Sequence, residues 1–348
     1  MKIAFVINDF DTELAGYTTT YLALAALSRG NDVYYLSVAD LAVDTDGKVA
    51  APARCPPRRN YRSTKTLMDD LKSDRAEIKR IKLDTLDIIF LRNNPAEDMA
   101  SRPWARLAGV NFGRLCLRNN VIVLNDPDGL AHAVNKIYLH SFPKEIRPAS
   151  IITRDREEVR RFTAQFRQGV VIKPLTGFGG SKVFLIKESD RRNFNQILDT
   201  VLTEGYALVQ EYLPEAEEGD TRLFLMNGQI LQAGGEIAAV RRVCTAGDLR
   251  SNLTAGGTVQ PARVTKAMFR IVDALRARLV QDGMFLVGAD IVGDKVLEIN
   301  VFSPGVLPEA SQMTGVNFSR VVIAALEGKV ELKAHALKAL SNIELATL

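Results

Sequence analysis

Cysteine is scarce in this chain: three residues, Cys55, Cys116 and Cys244, stand in 348. An odd number of thiols at wide spacing gives neither a disulfide framework nor a zinc pattern. Long apolar runs are missing too, and no stretch reaches the length a bilayer-spanning helix needs. The opening run at residues 3–7 is too short for the apolar core of a signal peptide, so a cytoplasmic protein is expected. Charge of one sign is nowhere concentrated, and the net charge is only +4. The densest basic patches, residues 54–62 and Arg160-Arg161, read as an exposed loop and one face of a charged helix. Nucleic acid is therefore not the expected partner.

What remains is an ordinary globular composition, 47% apolar and 25% charged, long enough for two or three domains. Residues 1–125 alternate strand and helix patterns: strands at 2–7, 32–38, 87–92 and 121–125, with an Ala/Leu-rich helix at 17–29. That alternation predicts an α/β domain on a small parallel sheet. Residues 44–62, rich in Pro, Gly and charge, read as a loop. Strand ends in such sheets present ligand groups, which singles out Asn8-Asp9-Phe10-Asp11 and Arg92-Asn93-Asn94-Pro95. Turn chemistry explains the same residues equally well. No G-x-G-x-x-G follows the first strand, which disfavours a dinucleotide fold.

Farther along, residues 130–140 read as a helix carrying Lys136, and 153–168 as a charged helix capped by Thr153. The strand at 170–174 contains Lys173 and runs into Leu175-Thr-Gly-Phe-Gly-Gly-Ser181. A Gly-rich loop between strands can turn its N–H groups onto phosphates, with the lysine as a point cation. A strand at 207–214, an Asn227-Gly228 hairpin, a polar stretch at 249–257 and an amphipathic helix at 264–281 follow. Residues 315–327 and the tail read as helical.

The chain is organised around residues 284–305, an apolar hairpin interrupted by Asp290, Glu298 and Asn300. Strand alternation puts Glu298 and Asn300 on one face. A two-residue turn at Gly293-Asp294 would leave Asp290 on the other face, whereas a three-residue turn including Lys295 would pair it with Glu298. In the second register two carboxylates and an amide form a hard-oxygen set suited to Mg²⁺ with bound phosphates. A half-buried hairpin with solvated polar groups is the plainer alternative.

In order, Val171-Ile-Lys-Pro-Leu-Thr-Gly-Phe-Gly-Gly180, Gln210 to Pro214, Gly219-Asp-Thr-Arg222, Arg250-Ser-Asn-Leu-Thr-Ala-Gly-Gly257, Gly288-Ala-Asp290, Glu298-Ile-Asn300 and Ser303-Pro304 resemble the ATP-grasp superfamily, and within it the bacterial glutathione synthetases. The resemblance covers residues 120–305 well and the N-terminal part in pattern only. It implies a mixed α/β chain: a Rossmann-like pre-ATP-grasp domain (1–125), a two-lobed ATP-grasp fold (126–205 and 206–330) and a helical tail (331–348). Lys136 and Lys173 would contact ATP phosphates under a loop of Gly177, Phe178, Gly179, Gly180 and Ser181. Gln210, Glu211, Tyr212 and Leu213 would line the adenine pocket, with Asp220 also on the nucleotide side. Asp290, Glu298 and Asn300 would hold Mg²⁺, or Mn²⁺ in its place, which selects the three-residue turn.

The implied chemistry is amide formation through an acyl phosphate, with Arg222, Arg250 and Asn252 serving the reacting groups and no nucleophilic side chain required. Small-molecule acid and amine substrates and a homo-oligomer come with the resemblance. The chain departs from it at residues 10–17, at Arg241-Arg242-Val243 and at Gly305-Val-Leu-Pro-Glu309, where the family's peptide-binding arginine is missing. A ligase for another acid–amine pair, an ATP-grasp kinase and a non-catalytic nucleotide-binding module are the other readings.

Overall fold

The computed structural model describes residues 1–99, 101–177, 180–187, 193–243 and 256–348. The first sheet contains β1 (Lys2–Ile7), β2 (Asp32–Ser37), β3 (Ala42–Val43), β4 (Val49–Cys55), β5 (Glu77–Lys82), β6 (Ile88–Leu91) and β7 (Ile122–Leu124), in the order β3-β4-β2-β1-β6-β7 with β5 on β4. Its centre is parallel: β1 pairs with β2 and β6, and β6 with β7. The unbroken aliphatic run of β1 fits a strand covered on both faces, and Ile3 to Ile7 are all buried.

Residues 44–62 are not a simple loop, because β4 lies inside them. After Val49, buried alanines (Ala50, Ala51 and Ala53) carry this strand in place of β-branched residues, and Pro52 among them disguises it.

The second sheet is antiparallel: β8 (Ser150–Thr153), β9 (Val170–Pro174), β10 (Phe184–Ile186) and β11 (Ala207–Glu211), ordered β10-β9-β11-β8. Here the expected long helix is the shorter Arg156–Thr163, and its cap is Asp155, which accepts from the amides of Glu157 and Glu158. Thr153 ends β8 instead. The helix expected at 130–140 is also interrupted. It runs over Pro127–His132, and a 3₁₀ turn, Lys136–Ser141, then starts afresh. Asn135 accepts from the Ile137 amide at 2.9 Å, which opens that turn as an N-cap would.

The third sheet contains β12 (Asp220–Met226) and β13 (Gln229–Ile230). After the small pair β14 (Gln232–Ala233) and β15 (Glu236–Ile237), it continues with β16 (Ala239–Val243), β17 (Thr258–Pro261), β18 (Leu286–Val292) and β19 (Lys295–Asn300). Asn227 (φ +55°) and Gly228 (φ +69°) make the left-handed two-residue turn expected of Asn-Gly. Helix Lys266–Gln281 is capped by Thr265. Helices Leu307–Thr314, Phe318–His335 and Asn342–Thr347 close the chain, the last with a capping box of Ser341 and Glu344. No helix among the described residues is long and apolar enough to cross a membrane.

Two apolar clusters each draw on the first and third sheets together, whereas the four-stranded sheet keeps its own core around Val159, Ile172, Leu198 and Val209. The first and third sheets are also tied by Asn125, which is 1% exposed. Its amide donates to the Leu286 and Val301 carbonyls (3.1 and 2.5 Å) and accepts from the Phe285 and Leu286 amides (2.8 and 3.0 Å). Asn125→Leu leaves those four backbone groups buried without partners. We expect a loss of about 3 kcal/mol or more in denaturant unfolding, and a loss below about 1 kcal/mol would contradict this role.

Candidate active site

The hairpin of β18 and β19 decides the site. Asp290 does stand opposite Glu298, and Gly288 opposite Asn300. The route differs from the expected three-residue turn. Val292 pairs with Lys295, so the turn has two residues, Gly293 and Asp294, with Gly293 at φ +57°. Ile291 then pairs with Val296, and the register slips at the next step. Leu297 is the additional residue of a β-bulge, which returns Glu298 and Asn300 to the face of Asp290. Bulges leave little trace in an apolar strand sequence, so the turn looked like the only place to absorb the slip.

Asp290 is buried, and its surroundings keep it charged. Arg222 directly across β12 grips it with Nε to Oδ1 at 2.7 Å and Nη2 to Oδ2 at 2.8 Å. Arg242 on β16 reaches Oδ2 at 2.8 Å, and Asn300 Nδ2 donates to the same oxygen at 3.1 Å. Arg242 is in turn held by Asp220, its cross-strand partner, through Nε and Nη2 at 2.8 and 2.9 Å. Burial alone would raise the Asp290 carboxyl, but the two guanidinium groups hold it well below the usual carboxylate range. Gly288 makes room for this packing, because a Cβ there would lie 3.0 Å from Pro304 Cβ and 3.4 Å from Arg222 Cδ.

Glu298 has no hydrogen bond or salt bridge to any described residue, and Asn300 uses its amide N–H groups on Asp290 and the Gly288 carbonyl, leaving Oδ1 open. Among the described residues no group of three or more His, Cys, Asp or Glu could hold a metal. The donors here are two carboxylates and an amide, which suit a hard, oxygen-seeking cation sharing the site with phosphates.

Across from the hairpin, Lys173 on β9 is buried and donates to Gln210 Oε1 at 3.1 Å. Burial pulls its pKa down to about 8, with Glu298 opposing and Lys136 adding to the shift. Lys136, at the start of the 3₁₀ turn, donates to the Gly177 carbonyl at 3.0 Å, and its amide donates to the Leu175 carbonyl at 3.1 Å. Burial lowers this lysine too, against the pull of Glu298. One cleft joins Lys136, Thr176 and Gly177 to Glu298, Asn300 and Ser303, with Asn94 and Pro95 at its far wall. Lys136 in its wall, and the buried Lys173 close enough to feel both Lys136 and Glu298, put two cations beside a carboxylate that no described residue bonds.

Gln210 accepts from Lys173, and its Nε2 is buried without a partner among the described residues. Glu211 accepts from the Ala149 amide at 3.2 Å, and the Tyr212 hydroxyl donates to Glu217 at 2.9 Å. Leu213 precedes a 3₁₀ turn, Pro214–Glu218, and Asp220 belongs to the ion-pair ladder. Gly180 and Ser181 are described and Ser181 is exposed. Phe178, Gly179, Arg250 and Asn252 lie outside the described residues.

Asn8 and Asn94 bond to each other at the strand ends, and Arg102 pairs with Asp9 and Asp98, which favours the turn-chemistry reading there. Arg92 has a part that the sequence did not show: it is buried, and its Nη2 donates to the Pro304 carbonyl at 3.3 Å, joining β6 to the end of the hairpin.

Lys173 gives a prediction with a defined sign. A lysine whose pKa falls from its ordinary value to about 8 on folding carries a burial penalty in full below pH 8. That penalty fades as pH rises toward the unfolded value of about 10.4. Lys173→Met should raise Tm most at pH 7 and progressively less toward pH 10. A gain that does not change with pH would contradict the buried cation.

The N-terminal domain model of prokaryotic glutathione synthetase matches residues 1–130, and its ATP-grasp domain model matches residues 135–315. The glutathione synthetase of Synechococcus elongatus is 31% identical over 335 residues, covering 95% of this chain and 99% of that protein. That of Agrobacterium fabrum is 31% identical over 322 residues, covering 91% and 92%. Among solved structures, the macrocyclase MdnC from Microcystis aeruginosa, bound with its precursor peptide MdnA, has a TM-score of 0.61 at 15% identity (94% of this chain, 100% of that one). The D-cycloserine synthetase DcsG has a TM-score of 0.60 at 14% identity (93% and 99%). These two likenesses are of fold. Matched in both family models and over nearly its whole length, the chain belongs to the prokaryotic glutathione synthetase family and is an ATP-dependent, glutathione synthetase-like ATP-grasp ligase.

Proposed function

We propose that the chain joins a small carboxylic acid to an amine, with γ-glutamylcysteine and glycine as the pair that its relatives recommend first. The supporting observation is the single cleft in which Lys136 faces Glu298 and Asn300, with Lys173 behind them. The two lysines take the triphosphate. Glu298, Asn300 and the clamped Asp290 are the residues that would hold Mg²⁺, which when bound neutralises phosphate charge.

A carboxylate oxygen of the acid attacks the γ-phosphorus, the bond to the β,γ-bridging oxygen breaks, and ADP leaves. The amine then attacks the acyl carbon, the acyl C–O bond breaks, and inorganic phosphate departs while the amine loses its proton. The protein's contribution is position and charge, as in other phosphoryl transfers. Arg222 acts in this reading by holding Asp290, and Arg250 and Asn252 are proposed for the charge that develops on the acyl oxygen. We also propose the division into a substrate-side part (1–125), a phosphate-loop lobe (126–205) and a metal lobe (206–330), and a homo-oligomeric assembly.

Ser303-Pro304 is followed by Gly305-Val-Leu-Pro-Glu309, where the resemblance would place a peptide-binding arginine. For that reason the assay should include a panel of acids and amines beside γ-glutamylcysteine and glycine, with ADP release and product mass measured together. Amide product with stoichiometric ADP supports the proposal, phosphorylated acid as the final product points to a kinase, and no ADP with any pair contradicts it.

Glu298→Gln separates site from scaffold, because no described residue bonds to that carboxylate. We expect ADP release to fall by about 100-fold or more with Tm unchanged. Near-normal turnover would contradict the assignment. Asp290→Asn should lose activity and also stability, by about 3 kcal/mol or more, because it leaves the buried Arg222 without a carboxylate and takes one of two from Arg242.

A further inference from the structure

The 3₁₀ turn that carries Lys136 is fastened from behind. Tyr138, two residues on, lines the cleft with its ring yet is 3% exposed, and its hydroxyl donates to Asp282 Oδ2 at 2.9 Å. Asp282 follows the helix Lys266–Gln281 and is itself buried. Its carboxylate also receives Arg278 Nε at 2.6 Å and faces His132 Nδ1 at 3.4 Å. Three separate segments therefore converge on one buried carboxylate.

The backbone around it is fitted just as closely. A Cβ on Gly129 would lie 1.8 Å from the Asp282 carbonyl oxygen, so only glycine lets the helix Pro127–His132 come this near. The Asp126 amide donates to the Gly283 carbonyl at 3.1 Å, and a Cβ on Gly283 would meet Asp126 Cβ at 2.5 Å. Shortly past Gly283 the chain enters β18 and then reaches Asp290. The turn at 282–283 is thus shared by the metal hairpin and by the segment that presents Lys136.

We propose that Asp282 is a positioning residue for nucleotide binding, holding Lys136 over the hairpin carboxylates through the Tyr138 hydroxyl. The proposal rests on the reading above that Lys136 receives the triphosphate. A lysine in a 3₁₀ turn has only the weak internal bonding of that turn to fix its direction. The Asn135 cap and the Leu175 carbonyl hold its start, and the Tyr138–Asp282 bond holds its middle. Without that bond the turn can rotate by a fraction of an ångström, enough to separate the ammonium from a phosphate oxygen.

The test is Mg-ATP binding by calorimetry to the full chain and to Tyr138→Phe, Asp282→Asn and the double variant, with Tm measured for each. Tyr138→Phe removes one oxygen and keeps the ring, so it remains informative if Asp282→Asn fails to fold. We expect each single variant to bind about tenfold more weakly, and the double variant to bind no more weakly than the worse single, as one shared interaction requires. A merely structural bond would lower Tm and leave the affinity of the folded protein within twofold of wild type, and that result overturns the proposal. Additive losses in the double variant overturn it as well. If the wild-type chain itself binds no Mg-ATP, the reading of Lys136 fails first and takes this inference with it. Wild-type binding with unaffected variants would sink the inference alone.

Discussion

The ladder Asp220–Arg242–Asp290–Arg222, laid across β16, β12 and β18, is the constraint on which the rest of the site depends. Two aspartates and two arginines cancel in charge, so the cluster can be buried whole. Breaking it costs about 3–5 kcal/mol, because a lone buried charge remains. Its effect is to keep a carboxylate ionised and immobile inside the protein. Glu298 and Asn300 are then arranged around a fixed anion, and Lys136 and Lys173 have a defined charge nearby. The ladder also sets the hairpin register, since Asp290 can meet both arginines only from the face that the bulge restores.

The division of cores suits this arrangement. The ladder lies in the sheet that shares its apolar clusters with the N-terminal sheet, and Asn125 and Arg92 stitch the two together. Lys173 belongs to the four-stranded sheet, whose core is its own. Leu175 to Gly177, just after that strand, thus meet Lys136 and the Glu298 hairpin in one cleft.

Much of this was legible in the sequence because chemistry and pattern coincided. Apolar runs marked the parallel strands, Asn-Gly marked its turn, and lysine in a strand before a glycine loop drew attention to Lys173, which the structure buries near Glu298. The missed features were made by tertiary contact or by a single local side chain, neither of which alters the pattern of a run. The strand inside residues 44–62 is built on small residues that only burial makes strand-like. The bulge at Leu297 has no composition of its own. The break before Lys136 is made by the Asn135 side chain, which a helical pattern absorbs without notice. Gln210 and Asp220 were visible as polar residues in strands, but their partners, Lys173 and Arg242, lie 37 and 22 residues away.

The central claim is that the clustered charges serve transfer of a phosphoryl group to a substrate carboxylate. The most direct measurement uses acid substrate labelled with ¹⁸O in its carboxylate, followed by mass analysis of the inorganic phosphate released. Transfer of one ¹⁸O atom to phosphate per amide bond formed is the predicted result. Amide product with unlabelled phosphate would contradict the acyl-phosphate route, and with it the cleft's role in phosphoryl transfer.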